Sequence, residues 1–149
     1  MLGAQTTRPT PIPISDLPTG MFLLKRSSGK YPLIDHYGVL VTGEFVRDLG
    51  IDSSAPVVIH QTYPTVRVDW ADSSGNWDMM GQVLPPHVPF AIERVSIALS
   101  DPNYDLFANN CEQFARFVTT GQKTSTQLWA WGFGTALAVF LVYVSQKDN

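Results

Sequence analysis

Apolar residues recur along this chain with two periods, and the change of period divides it. Up to about residue 83 they come in short runs of strand-forming types bounded by Gly, Pro, Asn and Asp. Met21–Lys25 predicts a first strand, His36–Thr42 a second that stops at Gly43, and Ala55-Pro56-Val57-Val58-Ile59-His60-Gln61 a third short one. Thr65–Trp70 and the stretch around Met79–Val83 predict two more, with Asp72-Ser73-Ser74-Gly75-Asn76 as the turn between them. From Pro89 the spacing turns helical through Phe90, Ile92, Val95, Ala98 and Leu99, until Asp101-Pro102 stops it. A second helix begins at Cys111, carries Phe114, Ala115 and Val118 at i+3, i+4 and i+7, and ends at Gly121.

The two ends of the chain follow neither period. Met1 to Pro18 holds Pro9, Pro11, Pro13 and Pro18 with no apolar run, so 1–18 reads as an extended Pro-rich arm rather than a helix or a signal peptide. Leu128 to Val144 is a run of 17 residues without a charge, in which Thr135 is the only conventionally polar side chain. At 1.5 Å per residue a helix of that length is roughly 26 Å long, close to the ~30 Å of a bilayer core. Trp129, Trp131 and Tyr143 stand near its ends as interfacial rings, with Lys123 and Lys147 just outside. The run has no polar face to offer water, as a surface helix of the domain would need. The expectation is a single-pass transmembrane anchor over 128–145, joined by a polar linker at 122–127 to a catalytic domain at 19–121. The short tail beyond the anchor suggests insertion from the C-terminus, with the domain on the cytoplasmic side.

Chemistry enters with Cys111, the chain's one cysteine. It sits in Asn109-Asn110-Cys111-Glu112-Gln113-Phe114, where Asn110 is a favoured N-cap. The thiol then lies among unpaired backbone N–H groups at the positive end of the helix dipole, where its pKa is expected to fall. Its own backbone N–H is a candidate oxyanion donor, because a helix N-terminus presents donors to developing negative charge. The spacing with Phe114, Ala115 and Val118 turns the thiol toward the interior, which also fits a buried structural cysteine. What separates the two readings is a base elsewhere. Three histidines compete for that role. His36 opens the second predicted strand and His60 lies near the end of the third, so the two imidazoles can pair across a sheet and face one helix terminus. One would serve as general base and the other would fix its tautomer. His87 lies in a Pro85-Pro86-His87-Val88-Pro89 loop and reads as a solvated or packing residue.

These residues carry a resemblance to a family. Asp35-His36-Tyr37-Gly38-Val39-Leu40-Val41-Thr42-Gly43 resembles the H-box, and Tyr104 to Ala115 resembles the NC box, of the lecithin:retinol acyltransferase-like proteins of the permuted papain-like superfamily. The likeness runs from about Leu17 to Gly121. It implies an α+β fold, a small antiparallel sheet packed against helices, with His36 as base, His60 as second histidine and Cys111 as the nucleophile that takes an acyl chain as a thioester. Gln113 stands where the family's NC box commonly has His, and Glu44 to Ser54 looks like an inserted loop that lengthens the interval between the two histidines.

Composition narrows the partners. With 149 residues, 44% hydrophobic and 15% charged, the chain has material for one core. A net charge of −3 without a Lys/Arg cluster argues against nucleic acid. A single cysteine forms no internal disulfide, and there is no Cys/His pair at zinc spacing and no glycine-rich phosphate loop, so no metal or cofactor is implied. The expected activity is that of a phospholipase A-type hydrolase or acyltransferase working at a membrane surface. Phospholipid is the acyl donor, and the acceptor is open among water, an amine and an alcohol. A cysteine amidase or peptidase, and a non-catalytic membrane-associated protein with the same two boxes, are the alternatives.

Overall fold

In the computed structural model, five strands form one sheet in which every pairing is antiparallel. The structure describes residues 16–27, 35–62, 65–101 and 111–122. The strands are β1 (Gly20–Ser27), β2 (Asp35–Thr42), β3 (Val57–Gln61), β4 (Val66–Trp70) and β5 (Asp78–Gln82), in the order β4-β3-β2-β1-β5. The helices are α1 (Phe45–Asp48), α2 (Val88–Ser100) and α3 (Cys111–Thr120), with a short 3-10 turn at Pro85–His87. The fold is therefore α+β, as the strand-then-helix order of the sequence implies.

Alternation along each strand sends side chains to two unlike faces. One face is covered by helices. Met21, Val39, Val41, Val57 and Ile59 meet Ala91 and Val95 of α2 and Phe114, Ala115 and Val118 of α3 there. The other holds a smaller cluster of Phe22, Leu24, Leu40, Val58 and Ala71, with Leu17 and Trp77 packed against it. Because both faces of β2 are covered, Val39-Leu40-Val41 is an unbroken apolar run rather than an alternating one. Each large side chain withdrawn fully from water, such as Phe22 or Phe114, contributes roughly 1.5–3 kcal/mol.

Local details depart from the expectation in informative ways. The segment Glu44 to Ser54, expected as an inserted loop, contains the single turn α1, which drops Val46 into the helix-covered core. In α2 the buried positions are Val88, Ala91, Val95 and Ala98, so Phe90, expected on the apolar face, is exposed. α2 follows the 3-10 turn directly and starts at Val88, one residue before Pro89, so that Val88 joins the buried stripe. Gly121 ends α3 as expected: its φ is 79°, its N–H donates to the Phe117 carbonyl, and a Cβ there would stand 2.9 Å from Arg94 Nη2. Arg94 Nη1 donates to the Val118 carbonyl at 3.2 Å, tying α2 to the end of α3.

The expected transmembrane helix requires a correction. Among the described residues no helix is long and apolar enough to cross a membrane. The longest is α2 with 13 residues, short of the ~20 a bilayer core requires. Among the described residues the fold class is thus an α+β domain without a spanning helix, and the expected single-pass, C-terminally anchored localisation finds no spanning helix there. The run Leu128–Val144 that suggested an anchor lies outside the described residues, as do the N-terminal arm up to residue 15 and Asn109-Asn110.

Candidate active site

His36 sits at the start of β2 and His60 near the end of β3, on the face of the sheet away from the helices. In the ladder His60 lies opposite Gly38, so the two histidines are diagonal neighbours on that face. Their rings approach edge-on at 5.1 Å between centroids, and His36 Nε2 stands 2.8 Å from His60 Nδ1. The structure therefore brings together the two histidines chosen from the sequence. His87 is exposed at the N-cap of α2 and takes no part in this cluster.

A residue that sequence reasoning missed completes the chain. Asp69 of β4 accepts from His60 Nε2 at 2.8 Å, and its other oxygen accepts from Arg67 at 3.2 Å. The hydrogen bond from His60 is the main reason the Asp69 carboxyl is held below its usual range. An ionised Asp69 can only accept, so the proton of His60 sits on Nε2, His60 Nδ1 is an acceptor, and His36 must donate to it from Nε2. Donor and acceptor roles thus run in one direction along Asp69, His60 and His36. They leave His36 Nδ1 as the unprotonated nitrogen. A signal for Asp69 existed in the alternation of β4, where Arg67 and Asp69 are the charged positions between Val66, Val68 and Trp70.

Trp77 covers this chain. Its ring lies 5.5 Å from that of His36 and 5.8 Å from that of His60. Gly38 makes room for it, since a Cβ at that position would stand 3.2 Å from the Trp77 ring and 3.3 Å from the His60 Cβ. The predicted turn at Asp72–Asn76 holds the indole: Trp77 Nε1 donates to the Ser74 hydroxyl at 3.0 Å, and that hydroxyl donates to the Ala71 carbonyl. Arg26 stacks on the indole, 4.2 Å from ring centre, and donates to the Ser74 carbonyl.

Burial dominates the electrostatics here. Desolvation, aided by the charge of a protonated His60 and by Arg26, lowers His36 from the ordinary histidine value of 6.5 to about 4. Desolvation also lowers His60, against the opposing pull of Asp69. Both imidazoles are therefore neutral at pH 7.

Cys111 approaches from the other face. It opens α3, which packs against β2, β1 and β3. Its Sγ meets the Asp35 carbonyl at 3.8 Å, and the nearby backbone N–H dipoles of Tyr37, Glu112 and Cys111 itself favour its charged form. Asp35 and Tyr37 flank His36, so the thiol touches β2 at the peptide groups on either side of the histidine. An ion pair between Lys25 and Asp35 at 2.7 Å fixes the start of the strand, and Arg116, which pairs with the buried Glu112 at 3.0 Å, lies over the Tyr37 ring.

The expected drop in the thiol pKa is not what this environment produces. Burial pushes Cys111 up, and the backbone donors that favour the thiolate offset only part of that penalty. Desolvation outweighs the first-turn donors because the side chain faces the interior. The resting pair is accordingly a neutral thiol and a neutral imidazole. Among the described residues no group of three or more His, Cys, Asp or Glu side chains is arranged to hold a metal ion. Compared with known proteins, the chain matches no family model, and no curated protein shows significant similarity to it.

Proposed function

We propose that this chain is a thiol-dependent acyl hydrolase or acyltransferase that takes its acyl group from a phospholipid ester. The observation that carries the reading is the Asp69–His60–His36 chain, whose hydrogen-bond direction leaves an unprotonated nitrogen on the strand that Cys111 touches. A buried structural cysteine has no need of a neighbouring imidazole held in one tautomer. The H-box and NC-box resemblance supports an ester of phospholipid as the donor.

In the first half-reaction Cys111 Sγ attacks the ester carbonyl carbon while its proton passes to His36 Nδ1. The imidazolium that forms is stabilised through His60 by the Asp69 carboxylate. The tetrahedral intermediate collapses by breaking the carbon–oxygen ester bond, and His36 returns the proton to the leaving lysolipid oxygen. A Cys111 acyl thioester remains. In the second half-reaction water, an amine or an alcohol attacks the thioester, gives its proton to His36, and the proton returns to the departing sulfur. Phospholipase and acyltransferase differ only in this acceptor.

Intact-mass analysis of the protein incubated with a defined diacyl phosphatidylcholine tests the reading. A mass increase of one acyl group, localised to Cys111 and released by hydroxylamine, is the expected result. If phospholipid leaves the mass unchanged while an activated peptide amide labels Cys111, the donor is an amide and the lipid assignment fails.

A further inference from the structure

The two edges of the sheet, β4 and β5, are not alike. β5 pairs with β1 through a register shift between Leu23 and Leu24 and contains Gly81, irregularities that make an edge a poor template for another strand. β4 pairs with β3 over all five of its residues without a shift, from Trp70 opposite Val57 to Val66 opposite Gln61. Its sequence, Val66-Arg67-Val68-Asp69-Trp70, holds neither proline nor lysine, and among the described residues no strand lies on its outer side. A regular edge of this kind offers a row of N–H and C=O groups to a second chain.

The side chains of β4 say which chain fits. Val66, Val68 and Trp70 lie opposite Gln61, Ile59 and Val57 and so belong to the helix-covered face, where Val68 is 37% and Trp70 50% exposed. Arg67 and Asp69 lie opposite His60 and Val58 on the open face, and the Arg67 side chain is 61% exposed. A second copy related by a two-fold axis normal to the sheet keeps like faces together, and directly opposed residues of an antiparallel pair share a face, so the axis must pass through one residue of β4. Centring on Arg67 or Asp69 sets that charge against its own copy. Centring on Val68 sets Arg67 opposite Asp69 of the partner subunit twice, and Val66 opposite Trp70 of the partner subunit twice.

We propose that this chain forms a homodimer by antiparallel pairing of β4 with β4 of a second copy, centred on Val68, which joins the two sheets into one. The exposed valine and tryptophan of each copy cover those of the other, and two cross-strand Arg67–Asp69 pairs fix the register. Each pair also brings the partner's arginine to the carboxylate that accepts from His60, so the interface is continuous with the open-face cluster.

Charge reversal, read by analytical ultracentrifugation of the full chain, tests both the association and its register. The wild type is expected to sediment as a species of twice 16.5 kDa. Arg67→Asp alone sets two aspartates together at each pair and Asp69→Arg alone sets two arginines together, so each variant should self-associate at least ~10-fold more weakly. An equimolar mixture of the two variants restores opposite charges at both pairs and should dimerise again. Val68→Cys in a Cys111→Ala background fixes the centre: mild oxidation should link it to its own copy, while Trp70→Cys in the same background, which faces Val66, stays unlinked. A wild-type chain that is monomeric at ~100 μM overturns the proposal. Reversal variants that associate like the wild type overturn it too, as does a mixture that fails to recover although both variants keep the wild-type far-UV circular dichroism. Should a reversal variant not fold, the cysteine variants decide alone, and a Val68→Cys chain that links no better than Trp70→Cys overturns the dimer.

Discussion

The two faces of the sheet treat polar groups differently. On the helix-covered face Glu112 is fully buried and paired with Arg116, Tyr37 lies under that same arginine, and Cys111 is satisfied by backbone. Packing dominates there, and the groups are held where α3 leaves them. On the open face the hydrophobic cluster is small, and the space beside it is filled by His36, His60, Asp69 and Trp77, linked by hydrogen bonds and ring contacts. The lesson is that the proposed nucleophile and its proposed base belong to opposite faces. Cys111 reaches β2 at the Asp35 carbonyl, the peptide group that precedes His36. Chemistry at such a seam depends on the register of β2 and β3 as much as on the side chains themselves.

Removing the base should separate the faces most. His36→Ala is expected to slow acyl-thioester formation by ~10²–10⁴-fold, with a smaller loss for His60→Ala, because only His36 moves the proton. Both variants should keep the wild-type far-UV circular dichroism, since neither ring belongs to the hydrophobic clusters. If His60→Ala costs as much as His36→Ala in single-turnover measurements, the two histidines act as one unit and the division of labour is wrong.

Asp69→Asn probes the far end of the same chain. The amide keeps the size of the carboxylate but removes the charge that orders the His60 tautomer. A loss of ~10–100-fold is expected, by analogy with the outer hydrogen-bond partners of metal-ligating imidazoles. A positioning role also requires a change in the acid limb of the kcat/KM profile, because His36 would lose the ionised partner that steadies its imidazolium. An unchanged pH profile would place Asp69 outside the chain.

Stability should carry the mark of the open face in its pH dependence. His36 is held at about 4, below its ordinary 6.5, and His60 is lowered as well, so the unfolded chain binds more protons than the folded one in this window. The contribution of these neutral imidazoles is complete above pH 6.5 and is lost as the pH falls toward 4. Urea midpoints measured across that interval should therefore decline, and His36→Phe should flatten the decline. On the helix-covered face the sign concerns the thiol: iodoacetamide should titrate Cys111 above the ordinary thiol value, since burial raises it. A low-pH plateau of reactivity would mean a resting thiolate.

The smallest effect is expected from Gly38→Ala. The added methyl group would meet Trp77, Val58 and the His60 Cβ at 3.2–3.3 Å, and the indole must yield by a few tenths of an ångström. The cost should be about 1 kcal/mol in stability, with a shift in Trp fluorescence as the indole moves.

Legibility from sequence followed the range over which each cause acts. Periodicity and turn chemistry are local, and they located all five strands, the turn at Asp72–Asn76, the stop at Gly43 and the αL glycine after α3. Cys111, His36 and His60 were legible because their residue types and local contexts are unusual. Trp77 was not, since a tryptophan after a turn is ordinary, and the alternation that marked Asp69 as a charged position on β4 gained meaning only when the register of the sheet set it beside a histidine. The direction of the Cys111 shift likewise needed the fold. A helix N-terminus lowers a thiol pKa in water, and only the packing of α3 against β2 determined that desolvation would outweigh it. The uncharged run near the C-terminus shows the converse, because composition describes what a segment would tolerate around it. Sequence by itself determined the five strands and the two longer helices of this protein, and it singled out Cys111, His36 and His60 as candidates. Which of those side chains share a face, and whether burial or hydrogen bonding governs their protons, was decided by tertiary contacts between residues far apart in the chain.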